Sequence, residues 1–439
     1  MTSGCALCPV FGQCGGCSQL DVPYDQQLSA KQRAVYDLFE GLAPAEAFQP
    51  VLGMEHPFHY RNKVVSPYAP AKGKRGAGAG KRAAERGADR HGVELSNRYG
   101  AKGLRNTQGP RSAKQVREAI LTGMYAPGTH RLIPTDTCAI ENETAKQVTL
   151  AVRDIMARWD MAPYNEDTGE GFVRHVVVRV GHESGEVLVT VVTNGEEFPS
   201  AKAFCRELVR RVPAITTIVQ NVNTRQTNVI LGEKERTLYG PGFILDTLCG
   251  LSFRISSKSF YQVNATQTEV LYDEAVCLAQ LTGAETVIDA YCGTGTIGLV
   301  AARRGARRVI GVDSVASAIR DAATNARHNG VDNADFVAED ATAFMERLAA
   351  SGERPDPLVL LMDPPRAGST PEFLAAACAL APQRIVYISC NPTTQARDVR
   401  QLVDSGYEIK AIRPVDMFPH TDHIESIVML EKRASEPKV

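Results

Sequence analysis

The sequence predicts an α/β protein whose C-terminal part, residues 256–439, is a doubly wound parallel sheet with its last strand reversed. Three observations lead there. From residue 286 onward, apolar β-branched runs alternate strictly with helical segments. The first run enters a glycine-rich turn, VIDAYCGTGTIG (287–298), and the last two are joined by a turn-like segment, MFPHTDHIE. Strand–helix alternation builds a parallel sheet, and a strand that returns without a helix must lie antiparallel to its neighbour.

Taken in chain order, residues 1–50 form a segment marked by four cysteines within its first 17 residues. Residues 51–255 read as a smaller α+β domain. YRNKVVSPY (60–68) is its first strand, and residues 141–160 have helical periodicity. HVVVRVG and GEVLVTVVTN make a strand pair across His182–Gly185; a helix near 200–211, the strand TTIVQNVN and a hairpin-like TNVILGEKERTLYG follow. Between them, residues 69–118 are poor in large apolar side chains and rich in Gly, Ala, Lys and Arg, so they are expected to be a flexible insertion. The C-terminal strands are TVIDAY, RVIGVD, ADFVAED, PLVLLMD, RIVYISC, YEIKAIRPVD and SIVMLEK, with helices between the first six.

Composition narrows the class. Hydrophobic residues at 44% and charged residues at 23% are those of an ordinary globular protein. No apolar run approaches the roughly 18 residues of a membrane span. The start, MTSGCALCPV, lacks the basic flank and apolar stretch of a signal peptide, so a cytoplasmic protein is expected. Its eleven cysteines, an odd number, then stay reduced unless they bind metal or do chemistry. The net charge is −1, yet residues 69–118 hold 13 Lys and Arg against four acidic residues. A basic island on an acidic body points to a polyanion contacted locally.

In the glycine-rich turn, Gly293, Gly295 and Gly298 match the G-x-G-x-x-G pattern of a Rossmann-like loop, where backbone approaches a ligand closely. The next strand ends in Asp313, placed to bind ribose hydroxyls; Glu339-Asp340 after the third suits an adenine amino group. The fourth ends LMDPPRAG, where Pro364-Pro365 holds Asp363 at the sheet's edge. Acids ending strands two, three and four beside a glycine loop favour S-adenosylmethionine over a nicotinamide cofactor. Helix capping and turn formation account for any one of these acids more easily than for the set.

Arg366 stands where amino-methyltransferases place a stacking aromatic, so methylation of carbon is favoured. Carbon 5 of a pyrimidine reacts only after a thiolate has added to carbon 6, and a base must later remove the carbon 5 proton. Cys390 ends a strand, and Pro392 suits the first turn of a following helix, whose N-terminal field is expected to lower the thiol pKa. Glu425 in FPHTDHIES can supply the base. The absence of a second cysteine in DPPR favours uracil over cytosine.

FYQVN (260–264), DAYCGTGTIG, DPPRAG, YISCNP and DMFPHTDHIES recur in this order in the bacterial uracil-5-methyltransferases of 23S rRNA and tRNA, which the chain resembles over residues 256–430. The resemblance implies a Rossmann-like methyltransferase sheet. It also implies Gln262, Tyr291, Thr296, Asp313, Asp340 and Asp363 near S-adenosylmethionine, Cys390 as nucleophile and Glu425 as base.

CALCPVFGQCGGC brings Cys5, Cys8, Cys14 and Cys17 together as two C-x-x-C pairs. Read bare, the pairs point to zinc, although five residues between them fall short of a zinc-ribbon spacing. The resembling rRNA enzymes carry C-x5-C-G-G-C plus a distant cysteine around a 4Fe-4S cluster. By that resemblance Cys8, Cys14, Cys17 and Cys138 are the ligands of an iron–sulfur segment, and Cys5 is spare. Many of those relatives also place a small β-barrel ahead of the cluster, whereas this sequence starts at it. Cys205, Cys249, Cys277 and Cys378 are expected to fill cores; Cys292, beside the glycine loop, is open between packing and function. His420 and His423 flank Glu425 as its orienters, as RNA contacts or as scaffold.

The expected function is transfer of a methyl group from S-adenosylmethionine to carbon 5 of a uridine in RNA, by resemblance 23S rRNA. The expected partner is RNA, with no DNA or membrane, and the expected state a monomer. The rivals are a cytosine-5 enzyme, a tRNA substrate, and a non-catalytic RNA-binding assembly factor.

Overall fold

The computed structural model describes residues 7–71 and 120–434. Cys5 and nearly all of the basic stretch 69–118 therefore lie outside the described residues. The described chain begins with a cysteine-bearing loop and a helix, α1 (Tyr24–Phe39). There follow β1 (Lys63–Pro70), β2 (Ile120–Tyr125), β3 (Leu132–Pro134), α2 (Glu143–Arg158), β4 (Val173–Val180), β5 (Val187–Thr193), α3 (Ala201–Arg211), β6 (Ile215–Val222) and β7 (Lys234–Tyr239).

These seven strands form one sheet in the order β3-β2-β1-β4-β5-β6-β7. All pairs are antiparallel except β5 and β6, which α3 joins as a parallel crossover. The valines of β4 and β5 alternate by face: Val176, Val178, Val189 and Val191 pack under α2 with Val148, Val152 and Ile155. The stretch TNVILGEKERTLYG is not an internal hairpin. Only β7 is a strand, paired with β6, and Asn223 holds the carbonyls of Val229 and Ile230 in a loop before it.

A hairpin, β8 (Ile244–Leu248) and β9 (Leu251–Ile255), turns on Cys249 and Gly250, both at positive φ, as two-residue hairpin loops require. Its buried side chains join the core of the C-terminal layer, not that of the first sheet. After α4 (Ala265–Ala279) come β10 (Thr286–Ala290), α5 (Thr296–Arg303), β11 (Arg308–Asp313), α6 (Ala316–His328), β12 (Ala334–Ala338), α7 (Ala341–Ser351), β13 (Leu358–Met362), α8 (Pro371–Leu380), β14 (Arg384–Ser389), α9 (Pro392–Asp404), β15 (Tyr407–Val415) and β16 (Glu425–Lys432).

The second sheet runs β12-β11-β10-β13-β14-β16-β15. β10 to β14 are parallel, and β16 inserts antiparallel between β14 and β15, so the expected reversal of the last strand is present. Consecutive residues of β13 serve opposite cores: Val359 and Leu361 face one, Leu360 and Met362 the other. That is why its sequence is a continuous apolar run rather than an alternating one.

The N-terminal segment packs onto this second sheet. Val35 and Phe39 of α1 enter its core, and the chain then runs along edge strand β15. Gln49 N–H donates to Ile412 at 3.0 Å and Leu52 N–H to Pro414 at 2.9 Å. Backbone groups that an edge strand would leave open are thereby covered.

Of the cysteines expected in cores, Cys205 is buried, Cys249 and Cys378 are half-buried, and Cys277 is exposed on α4. The amphipathic spacing of α4 places residue 277 outside its apolar face. Cys292 is packed: its sulfur lies beneath β11, 3.1 Å from where a side chain on Gly311 would begin.

Candidate active site

The carboxyl ends of β10 to β14 lie along one edge of the second sheet, where backbone N–H groups and strand-end side chains collect. The glycine loop after β10 is shaped by three residues at positive φ, Tyr291, Gly293 and Gly295. It is braced by two acids. Asp313 accepts the Gly293 N–H at 3.0 Å on one oxygen and the Val315 N–H at 2.8 Å on the other. Asp289, which sequence reading overlooked, accepts the Gly298 N–H at 2.9 Å. Any side chain at position 298 would start 2.6 Å from that carboxylate, so the third glycine serves the brace. Burial pushes the Asp289 carboxyl up to about 7, with the charges of Asp363 and Asp313 adding to it.

Of the other residues expected near a cofactor, Thr296, Tyr291 and Asp340 border the same loop or strand ends. Thr296 begins α5, its hydroxyl 3.2 Å from the Tyr272 hydroxyl. Tyr291 reaches the Ser369 hydroxyl at 3.2 Å and packs on Phe373. Asp340 caps α7 through the Ala343 N–H at 3.1 Å and is exposed; its charge is felt by Tyr291. Gln262 lies half-buried before α4, its carbonyl held by the Asn62 amide at 3.2 Å.

Around Cys390 four side chains meet from three elements. Cys390 follows β14 and is half-buried. Glu425 opens β16 with 5% of its surface exposed, brought there because β16 returns beside β14 with Ser389 opposite Ser426. Asp363 and Arg366 come from the turn after β13. Arg366 is hydrogen-bonded to the Cys390 thiol, whose nearest charges are Glu425, Asp363 and Arg366 itself. Two side chains of the Cys390 turn clasp the Arg366 carbonyl, the Asn391 amide at 3.0 Å and the Thr394 hydroxyl at 3.2 Å. Asp398 of α9 accepts the Ser369 N–H at 2.8 Å and the Tyr387 hydroxyl at 2.7 Å. These bonds tie the two turns together.

The electrostatics correct one expectation. Pro392 opens α9 as read, with Asn391 capping it, but the Cys390 thiol is raised, not lowered. Burial is the main cause and the carboxyls of Glu425 and Asp363 add to it; Arg366 opposes them. Burial also raises Glu425 well above its usual range, with Asp363 adding and Arg366 opposing, and pushes Asp363 up to about 7. Arg366, read from the sequence only as the absence of an aromatic, is the residue that favours a thiolate here.

The segment before Glu425 is anchored from the N-terminus. His420, buried and at φ 65°, receives the Ser18 and Gln19 N–H groups on its carbonyl at 3.0 Å each. Gln27 accepts the His420 N–H at 2.9 Å, sits 3.1 Å from its ring nitrogen, and donates to the carbonyls of Gln19 and Val22. Lys31 pairs with Asp416 at 2.6 Å with both side chains buried. His423 lies toward the surface; partial burial first, and the charges of Arg366 and Arg61 after it, hold its proton affinity down.

Cys8, Cys14, Cys17 and Cys138 line a single cavity together with Arg61 and Glu141. Burial raises the thiols of Cys14, Cys17 (to about 12) and Cys138 (to about 11), and Cys17 feels the charges of the other three. Among the described residues no group of three or more His, Cys, Asp and Glu side chains is arranged to hold a metal ion. No described helix is long and apolar enough to cross a membrane.

A family model described as tRNA (Uracil-5-)-methyltransferase matches residues 247–433. Over 428 residues the chain is 41% identical to a protein of Halalkalibacterium halodurans named as an RNA methyltransferase, covering 97% of this chain and 83% of that one. A Listeria monocytogenes protein named likewise is 38% identical over 424 residues, covering 96% and 83%. The solved structure of the Pyrococcus abyssi tRNA (uracil-54, C5)-methyltransferase, in complex with S-adenosyl-L-homocysteine, is similar with a TM-score of 0.70 at 25% identity, over 95% of this chain and 86% of that one.

Proposed function

Since the chain belongs to the RNA (uracil-5-)-methyltransferase family, we propose that it methylates carbon 5 of a uridine in 23S rRNA through a covalent adduct with Cys390. The observation that carries this reading is the meeting of the Cys390 thiol, the Glu425 carboxyl, Asp363 and Arg366 at one strand end.

S-adenosylmethionine supplies the methyl group and a positive sulfonium; Gln262, Tyr291, Thr296, Asp313, Asp340 and Asp363 would hold it. Arg366 stabilises the Cys390 thiolate, which forms a bond to carbon 6 of the uracil and drives an electron pair toward carbon 5. That pair forms the bond from carbon 5 to the methyl group as the sulfur–methyl bond breaks, and S-adenosylhomocysteine leaves as the neutral thioether. Glu425 then removes the carbon 5 proton, the double bond to carbon 6 re-forms, and the thiolate leaves. A buried carboxyl with a raised pKa is a strong base once deprotonated.

For the N-terminal thiols the donor chemistry fits a 4Fe-4S cluster held by Cys8, Cys14, Cys17 and Cys138. The four thiols line one cavity, and the choice of a cluster over a single zinc ion rests on the resemblance to the rRNA enzymes. Such a cluster would crosslink the N-terminal loop to residue 138. The segment is also what favours rRNA over tRNA, by resemblance to the rRNA enzymes.

The test is incubation of the protein and radiolabelled methyl donor with separate rRNA and tRNA from a strain lacking the gene, followed by nucleoside analysis. 5-Methyluridine in 23S rRNA is expected; label in cytidine, in tRNA alone or in neither overturns the proposal.

A further inference from the structure

We propose that Lys63 and Arg179 form an anion site that receives a backbone phosphate of the RNA next to its target nucleotide; the inference rests on the reading above that RNA is the substrate.

The two residues are partners in register across β1 and β4, so their side chains leave the same face of the sheet. Val64 and Val178, their neighbours, point into the core under α2. Lys63 and Arg179 therefore stand on the opposite face, which no helix of that domain covers among the described residues. Arg179 is only 4% exposed there. It donates to the Ser259 carbonyl, while its Nε is buried with no partner. Lys63 is half-buried beside it. Among the described residues no carboxylate acts on either: burial and Arg179 hold down the Lys63 proton affinity to about 8, and burial alone lowers that of Arg179, to about 10. Two like charges, one withdrawn from water, cost free energy until an anion joins them. A forked guanidinium beside a compact ammonium suits phosphate oxygens.

The location fits a substrate rather than a remote ion. Asn62, next to Lys63, donates its N–H to Val263 at 2.8 Å and its amide to Gln262 at 3.2 Å. The pair is thus tied to the segment that carries Gln262 and Phe260, an aromatic with 71% of its surface exposed. It sits at the seam between the first sheet and the catalytic layer. The carboxylate of S-adenosylmethionine is the other anion that could reach this seam, and the test separates the two.

The experiment compares wild type, Lys63→Met and Lys63→Arg in RNA binding across a salt series, S-adenosylmethionine binding, and thermal melting without RNA. Lys63→Met is expected to weaken RNA binding and reduce the slope of log affinity against log salt by about 0.7, one single-strand contact. Lys63→Arg should restore the slope. Lys63→Met should melt no lower than wild type, because it removes an uncompensated charge, and should bind S-adenosylmethionine like wild type. A full salt slope in Lys63→Met, with a wild type that methylates uridine, overturns the site. So does a loss of cofactor affinity in place of RNA affinity, or a lower melting temperature. A wild type that methylates no uridine in RNA overturns instead the reading beneath it, and the site with it.

Discussion

Cys390, Glu425, Asp363 and Arg366 divide the chemistry by charge: one cation faces a thiol and two carboxyls, that of Glu425 buried and that of Asp363 half-buried. Cys390→Ala should abolish methylation, because carbon 5 gains no electron density without thiolate addition. Glu425→Gln leaves addition and methyl transfer possible but stalls elimination, so a denaturant-resistant protein–RNA band carrying the transferred methyl should accumulate. Methylation by Cys390→Ala, or the band in the double mutant, would assign the nucleophile elsewhere. The same carboxyl makes stability depend on pH. The folded state keeps the Glu425 proton above the ordinary value of 4.5 at which the unfolded chain releases it, and Asp363 keeps its own to about 7. Between these pH values the unfolded state binds fewer protons, so stability falls as pH rises. Glu425→Gln should flatten that fall, read from melting temperatures at pH 5 and pH 7.5; equal slopes in variant and wild type would contradict the buried, protonated carboxyl. Cys390 and Glu425 were legible from their motifs as the candidate nucleophile and base, and the fold brings them together. Arg366 as the thiol's partner was not, since an arginine after two prolines carries no signal until the turn is folded against Asn391 and Thr394.

At the scale of elements, α1 and the loop before it support the turn that ends in Glu425. Lys31 and Asp416 form an ion pair that is out of water on both sides. Removing one partner strands the other charge, so Lys31→Met should cost about 3–5 kcal/mol, measured by denaturant unfolding. Gln27→Ala removes the amide that holds His420, at about 1 kcal/mol per lost bond. It should slow release of the covalent adduct more than its formation. A Gln27→Ala enzyme that forms and releases adduct at wild-type rates would show that the turn keeps its shape unaided. Neither contact is visible in the sequence, where Gln27 and His420 stand 393 positions apart.

The whole molecule joins two seven-stranded sheets, with the N-terminal chain laid over the edge of the second. If the four thiols hold a cluster, anaerobically purified protein should be brown with about four irons per chain. Ser at Cys8, Cys14, Cys17 or Cys138 should bleach it and Cys5→Ser should not. Stoichiometric zinc without visible absorption would overturn the cluster. The sequence by itself determined the order of strands and helices from residue 286 onward and the reversed last strand, because each follows from local periodicity and from the length of a connection. It determined also the acids and the thiol at strand ends, because every parallel strand presents its last residue to the same edge. Only the tertiary structure decided what those residues do to one another. The thiol lies raised among carboxyls rather than lowered by a helix end, Asp289 braces the glycine loop, and α1 belongs to the catalytic layer. Each depends on burial and on neighbours distant along the chain, and desolvation is a property of the packed molecule that no local pattern of residues encodes.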